Sequence, residues 1–152
     1  MTSGQLPESL TLLGAQEIRA LADAHEIRPT KQRGQNFVID PNTVRSIIRH
    51  AGVQPDDVVV EVGPGLGSLT LGLLQCCAHV VAVEVDDALA AALLGTVSRW
   101  LPERAAALQV VHADALEVRE LPVAPTAMVS NLPYNVAVPV LLTLLERFPS
   151  IE

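Results

Sequence analysis

The sequence has only two cysteines, and they are adjacent, Cys76 and Cys77. Metal and redox pairs usually need a gap such as C-x-x-C, so this spacing argues against a cysteine-built metal or dithiol centre. Nothing cationic flanks the pair to favour a thiolate, and both read as small core hydrophobes. Charge is sparse as well: 18% of the 152 residues are charged and 49% are apolar, which excludes an intrinsically disordered chain. The apolar stretches are still too short or too interrupted to span a bilayer. No basic start followed by an apolar run and a small-residue cleavage site occurs between Met1 and Leu13. A soluble, cytoplasmic chain is expected, and its length suits one domain with its own core.

A basic excess is also missing, since the net charge is −7. That is awkward for a phosphate-binding surface, which relies on Lys and Arg. The charge is uneven, however. Residues 1–50 carry six basic residues (Arg19, Arg28, Lys31, Arg33, Arg45, Arg49) against five acids, whereas residues 51–152 carry four against twelve. Five of the six basic residues fall between Arg28 and Arg49, with Asp40 as the one acid among them. Such a segment is either a local basic face or an ordinary solvated helix surface, and charge alone favours the second.

What is present is an alternation of helical and strand patterns. Gln16 to His25 has helical spacing, and Arg28 to Phe37, with a Pro and a Gly and no period, reads as a loop. Asp40-Pro41 is a helix start, and that helix should stop at Gly52. Val58 to Val62 is a β-branched run suited to a buried parallel strand. Helices are expected at Ser68 to Cys77, Asp87 to Trp100 and Val136 to Phe148, and strands at His79 to Val85, Leu108 to His112 and Thr126 to Ser130. This order predicts an α/β fold, an open, doubly wound, Rossmann-like parallel sheet. A lead of residues 1–56 would precede the sheet-forming core of residues 57–152. The core lacks the further strands that would cover the last one, so it reads as truncated, with an exposed edge.

Chemistry concentrates where the strands end. Glu61-Val62-Gly63-Pro64-Gly65-Leu66-Gly67 follows a strand and opens a helix, the context of a nucleotide loop in which glycine lets the backbone approach a ligand. The spacing is G-x-G-x-G, not the G-x-G-x-x-G that places a pyrophosphate on a helix N-terminus. With the acid Glu61 before the first glycine, it fits a cofactor that has no phosphate but carries a sulfonium or an amino group. A purely structural glycine turn is the alternative. Glu84, twenty-one residues beyond Gly63, ends the second strand and can accept hydrogen bonds from both ribose hydroxyls of a nucleoside. Asp86 and Asp87 read as the cap of the next helix. Asp114, past the third strand, either accepts from an adenine amino group or caps a turn. His112 reads as structural.

Asn131-Leu132-Pro133-Tyr134 directly follows the fourth predicted strand. An exocyclic adenine amine is a poor nucleophile because its lone pair is delocalised into the ring. The Asn131 side-chain oxygen and a backbone carbonyl at Leu132 or Pro133 can hold both amino hydrogens and favour a pyramidal nitrogen. Pro133 fixes the backbone there, and Tyr134, the chain's one tyrosine, offers a face for an extruded base. A proline turn with a core tyrosine explains Pro133 equally well but leaves Asn131 unexplained.

These blocks together resemble the ribosomal small-subunit RNA adenine dimethyltransferase family, whose relatives include the erythromycin-resistance RNA methyltransferases. The resemblance is carried by Lys31 to Phe37, Glu61 to Thr70, the strand-end acids Glu84 and Asp114, and Asn131 to Asn135. It implies S-adenosylmethionine as cofactor. Gln35, Asn36 and Val38 would border it, Gly63 and Gly65 approach its methionine part, Glu84 hold the ribose, Asp114 the adenine amine, and Asn131 the reaction centre. Val38 stands where the family commonly has leucine. The implied reaction is N6-dimethylation of two adjacent adenines near the 3′ end of small-subunit (16S) rRNA, with no metal, no membrane and a monomeric full-length enzyme. Members of the family continue into further strands and a smaller helical domain. The alternatives are a non-catalytic RNA-binding assembly or transcription factor on the same fold, and a methyltransferase for another RNA or DNA adenine. The glycine spacing disfavours an NAD-linked dehydrogenase.

Overall fold

The computed structural model describes residues 11–24, 40–132 and 134–151. Two helices come first, α1 (Ala15–Ala24) and α2 (Pro41–Ala51). Asp40 caps α2 by accepting the Asn42 amide at 2.7 Å, and Gly52 ends it in the left-handed region at φ 66°. The strands are β1 (Val58–Val62), β2 (His79–Glu84), β3 (Leu108–His112) and β4 (Ala127–Met128). Between them run α3 (Ser68–Leu74), α4 (Asp87–Trp100) and a short 3₁₀ turn (Pro102–Ala107), and α5 (Tyr134–Arg147) follows β4.

The described strands form one parallel sheet in the order β3-β2-β1-β4. The chain winds outward from β1 to β3, then returns to place β4 on the free side of β1. The direction of winding therefore reverses between β1 and β4, where ligand crevices open in sheets of this kind. Side chains alternate along β1. Val59 faces a core shared with α1 (Ile18, Leu21), α2 (Val44, Ile48), α3 (Leu71, Leu74) and α4 (Leu89, Leu93), while Val60 and Val62 face Val140 and Leu144 of α5. Helices thus lie on both faces, as the doubly wound reading requires.

Several boundaries differ from expectation. Helix α3 stops at Leu74, three residues before Cys77, where the carbonyl of its last residue and those of the turn that follows take a side-chain donor. The Arg104 guanidinium donates to the carbonyls of Leu74 (2.8 Å), Cys77 (2.7 Å) and Ala78 (3.0 Å), turning the chain into β2. The regular pairing of β4 covers two residues, not Thr126 to Ser130, because hydroxyl side chains replace backbone carbonyls at both ends. Thr126 Oγ1 accepts the Val58 amide and Ser130 Oγ accepts the Val62 amide, each at 2.9 Å. Strand β2 ends at Glu84, and Val85 turns outward. Cys77 is buried, and that burial pushes its thiol up to about 12, as suits a core hydrophobe.

Candidate functional site

Strands β1 and β2 end side by side, and their tips are laced together. The Gly63 amide donates to the Val83 carbonyl at 2.9 Å, and the Ala113 amide to the Glu84 carbonyl at 3.0 Å. From β1 the chain turns through Gly63, Gly65 and Gly67, all with positive φ (69°, 60° and 98°). Side chains other than glycine rarely adopt that conformation, so the turn presents backbone to whatever lies above it. At Gly63 the space is also closed, because a Cβ there would lie 2.8 Å from Leu132 Cδ2.

Glu84 sits beneath this turn, 4% exposed. One of its carboxylate oxygens accepts the Gly65 amide at 3.3 Å and the other the Asp86 amide at 3.1 Å. Burial raises its pKa, and the backbone donors at Asp86, Gly65 and Val85 work against that rise. A carboxylate held from below in this way fixes the glycine turn and keeps lone pairs for hydroxyl donors. Asp86 caps α4 by accepting the Ala88 and Leu89 amides. Asp87 instead pairs with His112, 2.7 Å away, and the His112 ring also lies 3.1 Å from the Val85 carbonyl. His112 is therefore tied to the start of α4.

Glu61 does not fill the charged role that its sequence position suggests. It is 1% exposed, on the face of β1 that meets α3, and accepts the Thr70 hydroxyl at 2.5 Å. Burial, with a smaller push from Glu84, raises its pKa to about 8 against the pull of the Thr70 bond. Glu61 is thus held inside, bonded to Thr70 of α3, and burial disfavours its charged form. The physical reason is desolvation, which sequence spacing does not report.

Asp114 lies exposed two residues past β3, and its side chain accepts the Leu116 amide at 2.9 Å, so it caps a turn at the same sheet edge as Glu84. Asn131 is exposed three residues past β4, and Leu132 packs over Gly63. The structure thus brings Gly63, Gly65, Glu84, Asn131 and Leu132 to the β1/β4 switch point, with Asp114 further along the edge. Tyr134 is the first residue of α5. Gln35, Asn36, Val38 and Pro133, and the side chain of Tyr134, lie outside the described residues, as do Arg28, Lys31 and Arg33. Of the basic segment, Arg45 and Arg49 sit on α2, half-exposed and exposed. Among the described residues no group of three or more His, Cys, Asp or Glu could hold a metal ion, and no helix is long and apolar enough to cross a membrane.

Sequence reasoning missed Ser130, whose hydroxyl joins the two sides of the crevice. The available signal was a pair of hydroxyl residues, Thr126 and Ser130, bracketing the apolar Ala127-Met128-Val129.

A parallel sheet with a glycine turn and an acid at adjacent strand ends defines a Rossmann-like nucleoside-binding fold, the fold of many methyltransferases. The sequence pattern of the ribosomal RNA adenine dimethylase family matches residues 27–151, and this chain belongs to that family. It is 65% identical over 147 residues to the ribosomal RNA small subunit methyltransferase A of Streptomyces avermitilis, covering 96% of this chain and 50% of that protein. It is 69% identical over 142 residues to the protein of the same name from Streptomyces griseus, covering 93% and 49%. Among solved structures, the 23S rRNA methyltransferase ErmE superposes with a TM-score of 0.64 at 34% identity, over 77% of this chain and 45% of that one. The chain spans about half the length of the relatives it matches.

Proposed function

We propose that this chain carries the cofactor-binding and reaction-centre part of an S-adenosylmethionine-dependent enzyme that dimethylates N6 of two adjacent adenines in small-subunit (16S) rRNA, in the cytoplasm. The observation that carries the reading is the packing of Leu132, the neighbour of Asn131, against the Gly63 turn where β4 pairs with β1. The residues fit the cofactor. A turn of three positive-φ glycines leaves room for an amino-acid moiety, and Glu84 is anchored where ribose hydroxyls would donate to it. Asp114 would accept from the adenine amine, and Gln35, Asn36 and Val38 would border the same ligand. When bound, S-adenosylmethionine supplies an electrophilic methyl group on a positively charged sulfur.

The chain's own part is positional. The Asn131 side-chain oxygen and a carbonyl of Leu132 or Pro133 would accept the two hydrogens of the target amine, freeing its lone pair, and Tyr134 would stack on the extruded base. Preorganised hydrogen-bond acceptors of this kind act most strongly where charge develops in the transition state. Methylation leaves the nitrogen with one proton too many, and water at the exposed Asn131 would take it.

The test is methyl transfer to small ribosomal subunits lacking adenine dimethylation, by this chain and by a chain of the relatives' length. Asn131→Ala is expected to lower turnover by roughly 10²- to 10³-fold while cofactor affinity falls far less. Near-normal turnover in that variant would overturn the mechanism. Calorimetry with S-adenosylhomocysteine and NAD tests the cofactor separately, and tight NAD binding would refute it.

A further inference from the structure

Asn131 lies three residues beyond the last residue of β4, so the regular sheet ladder does not set its position. Two hydrogen bonds carry the connection onward. The Val129 amide donates to the Val60 carbonyl at 3.1 Å, and the Val62 amide donates to Ser130 Oγ at 2.9 Å. In a continuing parallel ladder the Val62 amide would go to a backbone carbonyl of the neighbouring strand. The Ser130 hydroxyl takes that carbonyl's place, so the backbone can leave the strand while the residue stays tied to β1. The bonded residues are the immediate neighbours of the two sides of the crevice, Val62 preceding Gly63 and Ser130 preceding Asn131.

The other end of β1 supplies a control of the same form. There the Val58 amide donates to Thr126 Oγ1, also at 2.9 Å, across the same separation of 68 residues and with similar partial burial. Thr126 additionally donates to Asp57 at 2.7 Å, so its hydroxyl is the better connected of the two. It lies at the amino edge of the sheet, the full length of β1 away from the glycine turn. If such hydroxyls served only to hold β4 in place, Thr126 would matter more.

We propose that Ser130 is a positioning residue, its hydroxyl accepting the Val62 amide and so holding Asn131 and Leu132 in register with the Gly63 turn. The proposal rests on reading this crevice as the cofactor and reaction site. Removing the hydroxyl leaves a half-buried amide without its acceptor and frees the β4 exit to move away from the turn.

The test compares Ser130→Ala, Ser130→Thr and Thr126→Val in this chain, with amide hydrogen exchange followed by NMR and S-adenosylhomocysteine binding followed by calorimetry. Ser130→Ala is expected to speed exchange at Val62 and Gly63 about tenfold and weaken binding roughly fivefold, the scale of one lost hydrogen bond. Ser130→Thr should restore both to within about twofold, the residue keeping its hydroxyl. Thr126→Val should lower the melting temperature at least as much as Ser130→Ala, yet leave exchange at Gly63 and binding within about twofold, since the bonds its hydroxyl loses, to Val58 and Asp57, lie remote from the turn. The proposal is overturned if Ser130→Ala leaves Val62 and Gly63 protected, if Thr126→Val disturbs the site equally, or if threonine fails to rescue. Should the alanine form not fold, Ser130→Val against Ser130→Thr, matched in shape, decides the same question. A wild-type chain that binds no S-adenosylhomocysteine would refute the cofactor reading, and the exchange results would still decide the role of Ser130.

Discussion

The two faces of the sheet are covered very differently. On one, α1 to α4 pack against Val59, Val80 and Ala82, and Ile18, Ile48, Leu71, Leu74 and Leu93 are all at most 1% exposed. The other is covered by α5 and by the irregular segment between β3 and β4, with a smaller cluster built on Val60, Val62, Val83, Val140 and Leu144. Helix α5 turns Val140 and Leu144 inward but leaves Val138, Leu141, Leu142 and Leu145 between 40% and 62% exposed. Those four follow the i, i+3, i+4, i+7 spacing that normally marks a buried helix face. The contrast teaches that periodicity reports an apolar face and says nothing of whether that face is covered. The glycine turn braces against the sealed face through Glu61 and Thr70, whereas Leu132, beside Asn131, packs with the thinner cluster. The crevice is therefore backed by the larger core on its glycine-turn side and by the smaller cluster on its Asn131 side.

The largest effect that would sharpen this comparison is a cavity in the sealed face. Leu71→Ala is expected to cost about 2–5 kcal/mol in a denaturant melt, because the surrounding helices cannot collapse around the void. A loss below about 1 kcal/mol would show the face to be loosely packed. The next effect is a pH dependence centred on Glu61, whose folded-state pKa of about 8 lies above the ordinary 4.5. The folded protein then binds more protons than the unfolded chain between those values. That contribution to stability is present below pH 4.5 and is lost as pH rises through 8, by at most about 1.4 kcal/mol per unit. Glu61→Gln, which stays neutral and can keep the Thr70 partner, should flatten this slope in melts at pH 5.5, 7 and 8.5. A slope identical to that of the wild type would show that Glu61 is not its source.

On the thinner face, Arg147 donates to the carbonyls of Leu116 (2.6 Å) and Val118 (2.9 Å), strapping the segment after β3 to α5. Arg147→Ala should cost about 1–2 kcal/mol and speed hydrogen exchange around residues 116–118 while leaving Gly63 protected. If protection fell equally at both places, the two faces would be one cooperative unit. The smallest effect is expected at Leu142, 62% exposed. Leu142→Glu should change stability by no more than about 0.5 kcal/mol and lower the chain's tendency to associate, read by light scattering. A large destabilisation would mean that the outer face of α5 is covered.

Much of the fold was legible because its signals are local. The β-branched run at Val58 to Val62, the Asp40-Pro41 start, the Gly52 stop and the Asp86 cap each depend on a few neighbouring residues, and each appears where local chemistry requires it. The boundaries that moved did so through partners distant in sequence. Arg104 meets the end of α3 across about thirty residues, and Thr126 and Ser130 truncate the β4 ladder across sixty-eight. In the candidate site, the glycine turn and the strand-end place of Glu84 could be read from spacing, whereas the bond from the Gly65 amide to Glu84 could not. The state of Glu61 could not, since its elevated pKa follows from burial among residues brought together by folding.

By itself, then, the sequence determined which residues could turn, cap and pair, and it placed acids, glycines and Asn131 at strand ends, because such preferences are written in short stretches of chain. Tertiary structure decided that β4 returns beside β1, so that Leu132, next to Asn131, packs on the Gly63 turn instead of lying at a remote edge. It also decided that Glu61 is buried, which raises its pKa, and that the Ser130 hydroxyl bonds to β1. Those outcomes depend on which strands become neighbours and how much water they exclude, quantities that exist only once the sheet has formed.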